Sequence, residues 1–146
     1  MAKHEPLHLE RFLPYRLSIL SNRISASIAR EYQDRHDLSM TEWRVMAVLA
    51  RFDGEGLSAS DVATRTEMDK VAVSRALARL VDAGRVRRDV HADDRRRSVL
   101  SLTAAGWKIH DAISPSARAH ERELLAQLSA SERRTLERVL DKLAPV

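Results

Sequence analysis

Between residues 65 and 100 the chain carries ten basic side chains: Arg65, Lys70, Arg75, Arg79, Arg85, Arg87, Arg88, Arg95, Arg96 and Arg97. The same window carries six acidic ones: Glu67, Asp69, Asp82, Asp89, Asp93 and Asp94. The excess of four positive charges equals the net charge of the whole chain, +4 over 146 residues. A cationic surplus confined to one segment is the footprint of polyanion binding. A solvated charged surface would give the same count, so the spacing has to decide. Placed on a helix from residue 70 to 83, Lys70, Val71, Ala72, Ser74 and Arg75 form one short, polar N-terminal face, and Arg79 follows one turn later. A helix fits the major groove of B-DNA, where base edges show a distinguishable donor and acceptor pattern. There Arg75 can fork onto guanine, Ser74 can bond a base edge or a phosphate, and Val71 or Ala72 can touch a thymine methyl. Arg79 is expected to reach a phosphate.

A second constellation, Asp93-Asp94-Arg95-Arg96-Arg97, lies between two alternating segments. Three adjacent guanidinium groups repel one another, and the two aspartates can pair with and orient some of them. An oriented arginine that enters the minor groove reads its width and its negative potential.

Other chemistries find no support. The chain has no cysteine, which excludes disulfides, thiolate metal sites and thiol nucleophiles. There is no glycine-rich phosphate loop and no Gly-x-Ser-x-Gly, so an enzyme is not expected. The histidines, His4, His8, His36, His91, His110 and His120, do not gather into a ligand set on one helix face. A zinc sensor is therefore not expected, and no cofactor or metal is assigned. The N-terminal stretch lacks the uninterrupted apolar run of a signal peptide, and no segment approaches a membrane span. These features suggest a cytoplasmic protein without a membrane partner.

The elements that must position these residues follow from periodicity and punctuation. Leu9, Phe12, Leu13, Leu17, Leu20, Ile24 and Ile28 recur at helical spacing and predict a helix over 7–33, kinked or restarted at Pro14. A second helix is expected from Thr41 to the turn at Asp53-Gly54-Glu55-Gly56. Ser58 caps a short helix through Thr66. A further helix spans 70–83 and is stopped by Gly84, with Val73, Leu77, Leu80 and Val81 as its buried stripe. Residues 86–90 and 98–102 alternate and predict a hairpin with a basic tip. Thr103 caps a helix over 104–127, bent at Pro115. Ser129-Ala130-Ser131-Glu132 is a capping box that opens a helix to about Leu143. The expected fold is mainly α with a small β-hairpin wing. It is a winged helix-turn-helix over 37–103, flanked by N- and C-terminal dimerisation helices in 1–36 and 104–146. The 7–33 helix has more apolar surface than a small core can cover, and the last two helices have too few aromatics to build a core alone. A homodimer resolves both.

The segment from Asp69 to Arg88, together with Asp94-Arg95-Arg96 and Leu102-Thr103-Ala104-Ala105-Gly106, resembles the recognition helix and wing signature of the MarR (multiple antibiotic resistance regulator) family. A Thr41-x-Trp43 helix start and a C-terminal Leu128-Ser129-x-x-Glu132 extend the likeness over nearly the whole chain. The resemblance implies a DNA-binding transcriptional regulator, expected to act as a repressor on a pseudo-palindromic operator of double-stranded DNA. It makes Arg96 the minor-groove arginine and Asp94 its positioning partner, and it implies a dimer built from the first, fifth and sixth helices. A nucleoid protein that binds DNA without an effector is the alternative.

Arg16 is out of place in the apolar stripe of Leu9, Leu13, Leu20 and Ile24, because a guanidinium there wants an anionic partner. That partner is either an Asp or Glu of the protein or the carboxylate of a bound ligand. The resemblance favours a ligand, since many relatives respond to phenolic or aromatic carboxylates. Trp43 is expected in the core, or as an aromatic wall of such a pocket, and His8 can join it.

Overall fold

All the α-helices but the first, which follows Phe12 without a side-chain cap, begin where a short polar side chain accepts the amide three residues on. Ser39 takes the Glu42 amide at 3.1 Å, Ser58 that of Asp61 at 3.2 Å, Asp69 that of Ala72 at 3.0 Å, Thr103 that of Gly106 at 3.1 Å and Ser129 that of Glu132 at 3.1 Å. Each bond satisfies one of the amides a helix start leaves without a partner. In the computed structural model, which describes residues 2–90, 93–94 and 97–145, the resulting order is α1 Leu13–His36, α2 Met40–Arg51, α3 Ala59–Thr66, α4 Lys70–Asp82, β1 Val86–Val90, β2 Ser98–Leu102, α5 Ala104–Leu125 and α6 Ala130–Leu143.

Four helices differ from expectation at a boundary, α4 only in ending at Asp82. The first helix begins at Leu13 and runs to His36, with only a 3₁₀ turn over Leu9–Arg11 before it. Pro14 therefore marks a restart, one of the two outcomes expected of it, and stands in the first turn of α1, where its missing N–H costs nothing. The second helix starts at Met40, one residue before Thr41, because Ser39 is its cap. The fifth helix runs through Pro115 and ends at Leu125.

The core lies in the helix-turn-helix. Val45, Met46 and Leu49 of α2, Val62 of α3 and Val73, Ala76, Leu77 and Leu80 of α4 are buried together, with Val86, Leu100 and Leu102 of the hairpin closing one side. Ala76 takes the place expected of Val81, which is only half-buried. The strands pair antiparallel with Val86 opposite Leu102 and Val90 opposite Ser98. The Leu100 amide also donates to the Leu57 carbonyl at 2.9 Å, tying the hairpin to the segment before α3. Of α1 only Ala29 and Tyr32 are buried, and of α5 only Gly106 and Ile113. α6 buries nothing. Among the described residues, no helix is long and apolar enough to cross a membrane.

Candidate nucleic-acid interface

The buried residues of α4 all fall on one side, which fixes what the opposite side must present. Lys70, Val71, Ser74 and Arg75 are exposed, and Ala72 is half-buried beside them. Val71 is 54% exposed, an apolar side chain the core does not need. Among the described residues, the side chains of Lys70, Ser74 and Arg75 make no ion pair or hydrogen bond, so their donors point to solvent. The structure thus brings these five residues onto one rigid face. Asp69 caps the helix beneath them, bonded to the Ala72 amide.

The wing is held by its base. Arg97 donates to the Asp61 carboxylate in α3. The same carboxylate oxygen accepts the Ser58 amide at 2.8 Å and the Ser58 hydroxyl at 2.9 Å. Donation from the Ser58 backbone, and after it the Ser58 hydroxyl and Arg97, holds the Asp61 carboxyl below the usual carboxylate range, against a smaller opposing effect of burial. Asp94 and Arg97 line a cleft of about 530 Å³ with Asp61, Ser58 and Arg88. Arg87 and Arg88 are exposed on β1, and Arg87 pairs with Asp89 at 2.8 Å. The minor-groove candidates Arg95 and Arg96 lie outside the described residues. Asp61 was not among the sequence-predicted site residues. The capping box Ser58-x-x-Asp61 marks it as a helix start, but only folding places it beside Arg97.

Arg79 departs from the free face. Its Nη1 lies 3.6 Å from Oε1 of Glu42, whose side chain is 8% exposed. Glu42 is the one charged residue that is buried among the described residues, and Ser39 donates its hydroxyl to the same oxygen at 3.0 Å. Arg85 donates to the His36 carbonyl at 2.6 Å. Both arginines border a polar cleft of about 740 Å³ between the ends of α1 and α4, together with Asp37 and Asp82. Glu42 is not among the sequence-predicted site residues. The spacing Ser39-x-x-Glu42 was the available signal that its side chain folds back toward the core.

Of the three residues expected around a ligand, Trp43 lies apart from Arg16, while His8 stands beside Glu10 at the edge of the Arg16 cleft. Arg16 is exposed and lines a shallow cleft of about 250 Å³ with Glu10, Tyr15, Ile19, Leu20 and Arg23. Among the described residues its guanidinium has no ion-pair partner. His8 sits ahead of α1, 3.6 Å from Glu10 and largely exposed. Trp43 packs against the core instead. Its ring lies 6.0 Å from that of Tyr32 and 5.8 Å from that of His110. Arg16 precedes Tyr32 on α1 by roughly 24 Å of helix, so Trp43 is not a wall of the Arg16 cleft within one protomer.

Comparison with known proteins agrees with this layout. The pattern that defines the MarR family matches residues 36–97, from the end of α1 to the wing. The transcriptional regulator HosA of Escherichia coli O157:H7 is 31% identical over 115 residues, covering 79% of this chain and 84% of the relative. The HTH-type transcriptional repressor Rv2887 of Mycobacterium tuberculosis H37Rv is 28% identical over 133 residues, covering 90% and 91%. Among solved structures, a MarR/EmrR family transcriptional regulator from Acinetobacter sp. ADP1 superposes with a TM-score of 0.82 at 26% identity, covering 94% of this chain and 95% of that one.

Proposed function

The chain belongs to the MarR family of DNA-binding transcriptional regulators, and on that premise we propose that it is a cytoplasmic homodimeric repressor released from its operator by a small anionic aromatic effector. The observation that carries the DNA-facing part is the unpaired face Lys70, Val71, Ser74 and Arg75, backed by the buried stripe of α4. α4 enters the major groove with these residues leading, and Ala72 sits close enough to touch a base methyl. Arg95 and Arg96 are the minor-groove candidates in this reading, and the tie from Arg97 to Asp61 holds the base of the wing. Asp94 positions Arg96 in this reading. The likeness to a transcriptional repressor along 90% of the chain supports the sign of regulation.

Dimerisation is supported by the apolar surface of α1 and α6. Leu13 is 54% exposed, Leu20 52%, Leu140 50% and Leu143 62%. Residues 1–36 and 104–146 form the dimerisation region, and 37–103 the DNA-binding domain.

The effector reading rests on Arg16. Its guanidinium borders a cleft whose other walls include Tyr15, Ile19 and Leu20. A carboxylate can accept two charge-assisted bonds there while its ring lies on Ile19 and Leu20. His8 stands near this cleft beside Glu10, and Trp43 then contributes only where the dimer brings it near. Binding of a benzoate- or cinnamate-type acid favours a dimer whose recognition helices no longer match successive grooves, and linkage requires DNA to weaken effector binding by the same factor.

Footprinting on the DNA upstream of the protein's own gene, with and without such acids, tests the whole reading. A discrete pseudo-palindromic footprint that fades with acid is expected. Featureless coverage of any duplex would replace the regulator by a nucleoid protein. Calorimetry of Arg16→Ala against the same acids locates the site: equal heats in both proteins would remove Arg16 from it.

A further inference from the structure

Arg79 lies on the solvent side of α4 one turn beyond Arg75, where a cation would ordinarily meet a DNA phosphate. The structure gives it a different partner. Its Nη1 is 3.6 Å from the Glu42 carboxylate. The pair is asymmetric, since the Arg79 side chain is 66% exposed and that of Glu42 only 8%. Apart from Ser39, which donates a neutral hydroxyl bond at 3.0 Å, Arg79 supplies the only positive charge paired with this carboxylate among the described residues. Taking the guanidinium away leaves a buried charge uncompensated, which is strongly unfavourable. Arg79 is therefore held from below while its outer surface stays open.

The surroundings work in the same direction. The cleft beside the pair carries Asp37, Glu42 and Asp82 against Arg79 and Arg85, and Arg85 is already committed to the His36 carbonyl. This flank of α4 has no surplus of positive charge, whereas Lys70 and Arg75 at its start are unpaired.

We propose that Glu42 competes with DNA phosphate for Arg79, so that the second turn of the recognition helix contributes little to backbone affinity in the native protein and the burden falls on the first turn and the wing. Glu42 is then a positioning residue, acting on DNA only through Arg79. The inference rests on α4 being the DNA-facing helix.

The test uses the full chain and a random-sequence duplex, because the phosphate contribution is independent of sequence. Binding is followed by fluorescence anisotropy over a range of salt concentrations. Glu42→Gln keeps the shape of the side chain and an acceptor for Ser39 but removes the charge. It should tighten binding and steepen the dependence of log affinity on log salt by roughly 0.9 per protomer, the increment for one additional phosphate neutralised. Arg79→Ala should leave the slope of the native protein unchanged. It should also lower the melting temperature, and the double variant Glu42→Gln with Arg79→Ala should recover that loss. The double variant should show no steepening. A purely structural role for Glu42 would not change the salt slope. Three results would overturn the proposal: an unchanged slope in Glu42→Gln, a steepening that persists without Arg79, or a slope already reduced by Arg79→Ala alone. Arg75→Ala run alongside tests the face itself. If it binds as tightly as the native chain, α4 is not the DNA-facing helix and the proposal falls with that reading, whereas a weakened Arg75→Ala with an unresponsive Glu42→Gln rejects the pair alone.

Discussion

A methyl group at position 106 has nowhere to go. A Cβ built on Gly106 would lie 2.1 Å from the carbonyl oxygen of Arg85 and 3.3 Å from a methyl of Leu102. The oxygen belongs to backbone, and it is engaged by the Thr103 amide at 3.1 Å. Thr103 also donates its hydroxyl to the Gly84 carbonyl at 2.6 Å. Gly106→Ala must therefore push α5 away from the joint between α4 and β1. We expect a loss of about 1–3 kcal/mol, typical of overpacking, read as a lower melting temperature with a reduced affinity for DNA. A substitution that melts as the native protein does would show that the joint is loose. At the same scale, Arg75→Ala should cost about 1–3 kcal/mol of operator binding and relax the preference at one base position. An unchanged sequence preference across a randomised library would place base reading elsewhere. What the sequence shows at this scale is uneven. Thr103 and Gly84 announce themselves because each has a local backbone duty, whereas the carbonyl that crowds Gly106 belongs to Arg85 and comes near only on folding. The partners of Arg79 and Arg97 do not announce themselves either, because Glu42 and Asp61 come from helices 37 and 36 residues earlier in the chain and only packing brings them near.

At the scale of elements, the wing depends on α3. Asp61 caps its own helix start through Ser58 and holds Arg97 at the foot of β2. Its carboxyl lies below the ordinary carboxylate range, chiefly because the Ser58 amide donates to it. The folded-state value is thus depressed relative to the unfolded chain. The stabilisation it gives is complete above the ordinary carboxylate range and is lost as pH falls through the folded-state value. Melting temperatures of the native protein and Asp61→Asn should therefore differ at neutral pH and converge on acidification. A gap that stays constant as the solution is acidified would show that the charge contributes nothing. The strands themselves were legible to the residue, since alternation over 86–90 and 98–102 is bounded by Gly84 and Thr103. The start of α1 was not. The apolar spacing begins at Leu9 and periodicity alone misplaces the start, while Pro14 offers a kink or a restart, of which the structure takes the restart at Leu13.

At the scale of the whole molecule, the protein contains a surface that a single chain does not use. Leu17, Leu20 and Ile24 of α1 face Leu125, Leu136 and Leu140 across an apolar groove of about 790 Å³. Leu17 is 47% exposed, Leu136 40% and Val139 44%. Soluble monomers rarely leave apolar patches of this extent open to water. The helix-turn-helix core does not depend on this surface, because its buried residues lie in α2, α3, α4, the hairpin and the connecting positions Leu38 and Leu57, with Ala29, Tyr32 and Ile113 borrowed from α1 and α5. Fold and assembly are thus separable, which makes a clean experiment. The native chain should sediment at about twice the 16.5 kDa of one protomer, with its two copies of α4 spaced roughly 34 Å apart to match one turn of DNA. Leu20→Glu puts a charge into the groove. Twofold symmetry places it there twice, so at about 1.5–3 kcal/mol for each leucine lost from a buried site the dissociation constant should rise on the order of a hundred-fold or more. The variant should keep its helical content and a cooperative melt. It should lose tight binding to a palindromic site while weak binding to a single half-site survives. If Leu20→Glu sediments and binds as the native chain does, this groove is not the dimer interface, and the two copies of α4 must be brought together by another surface.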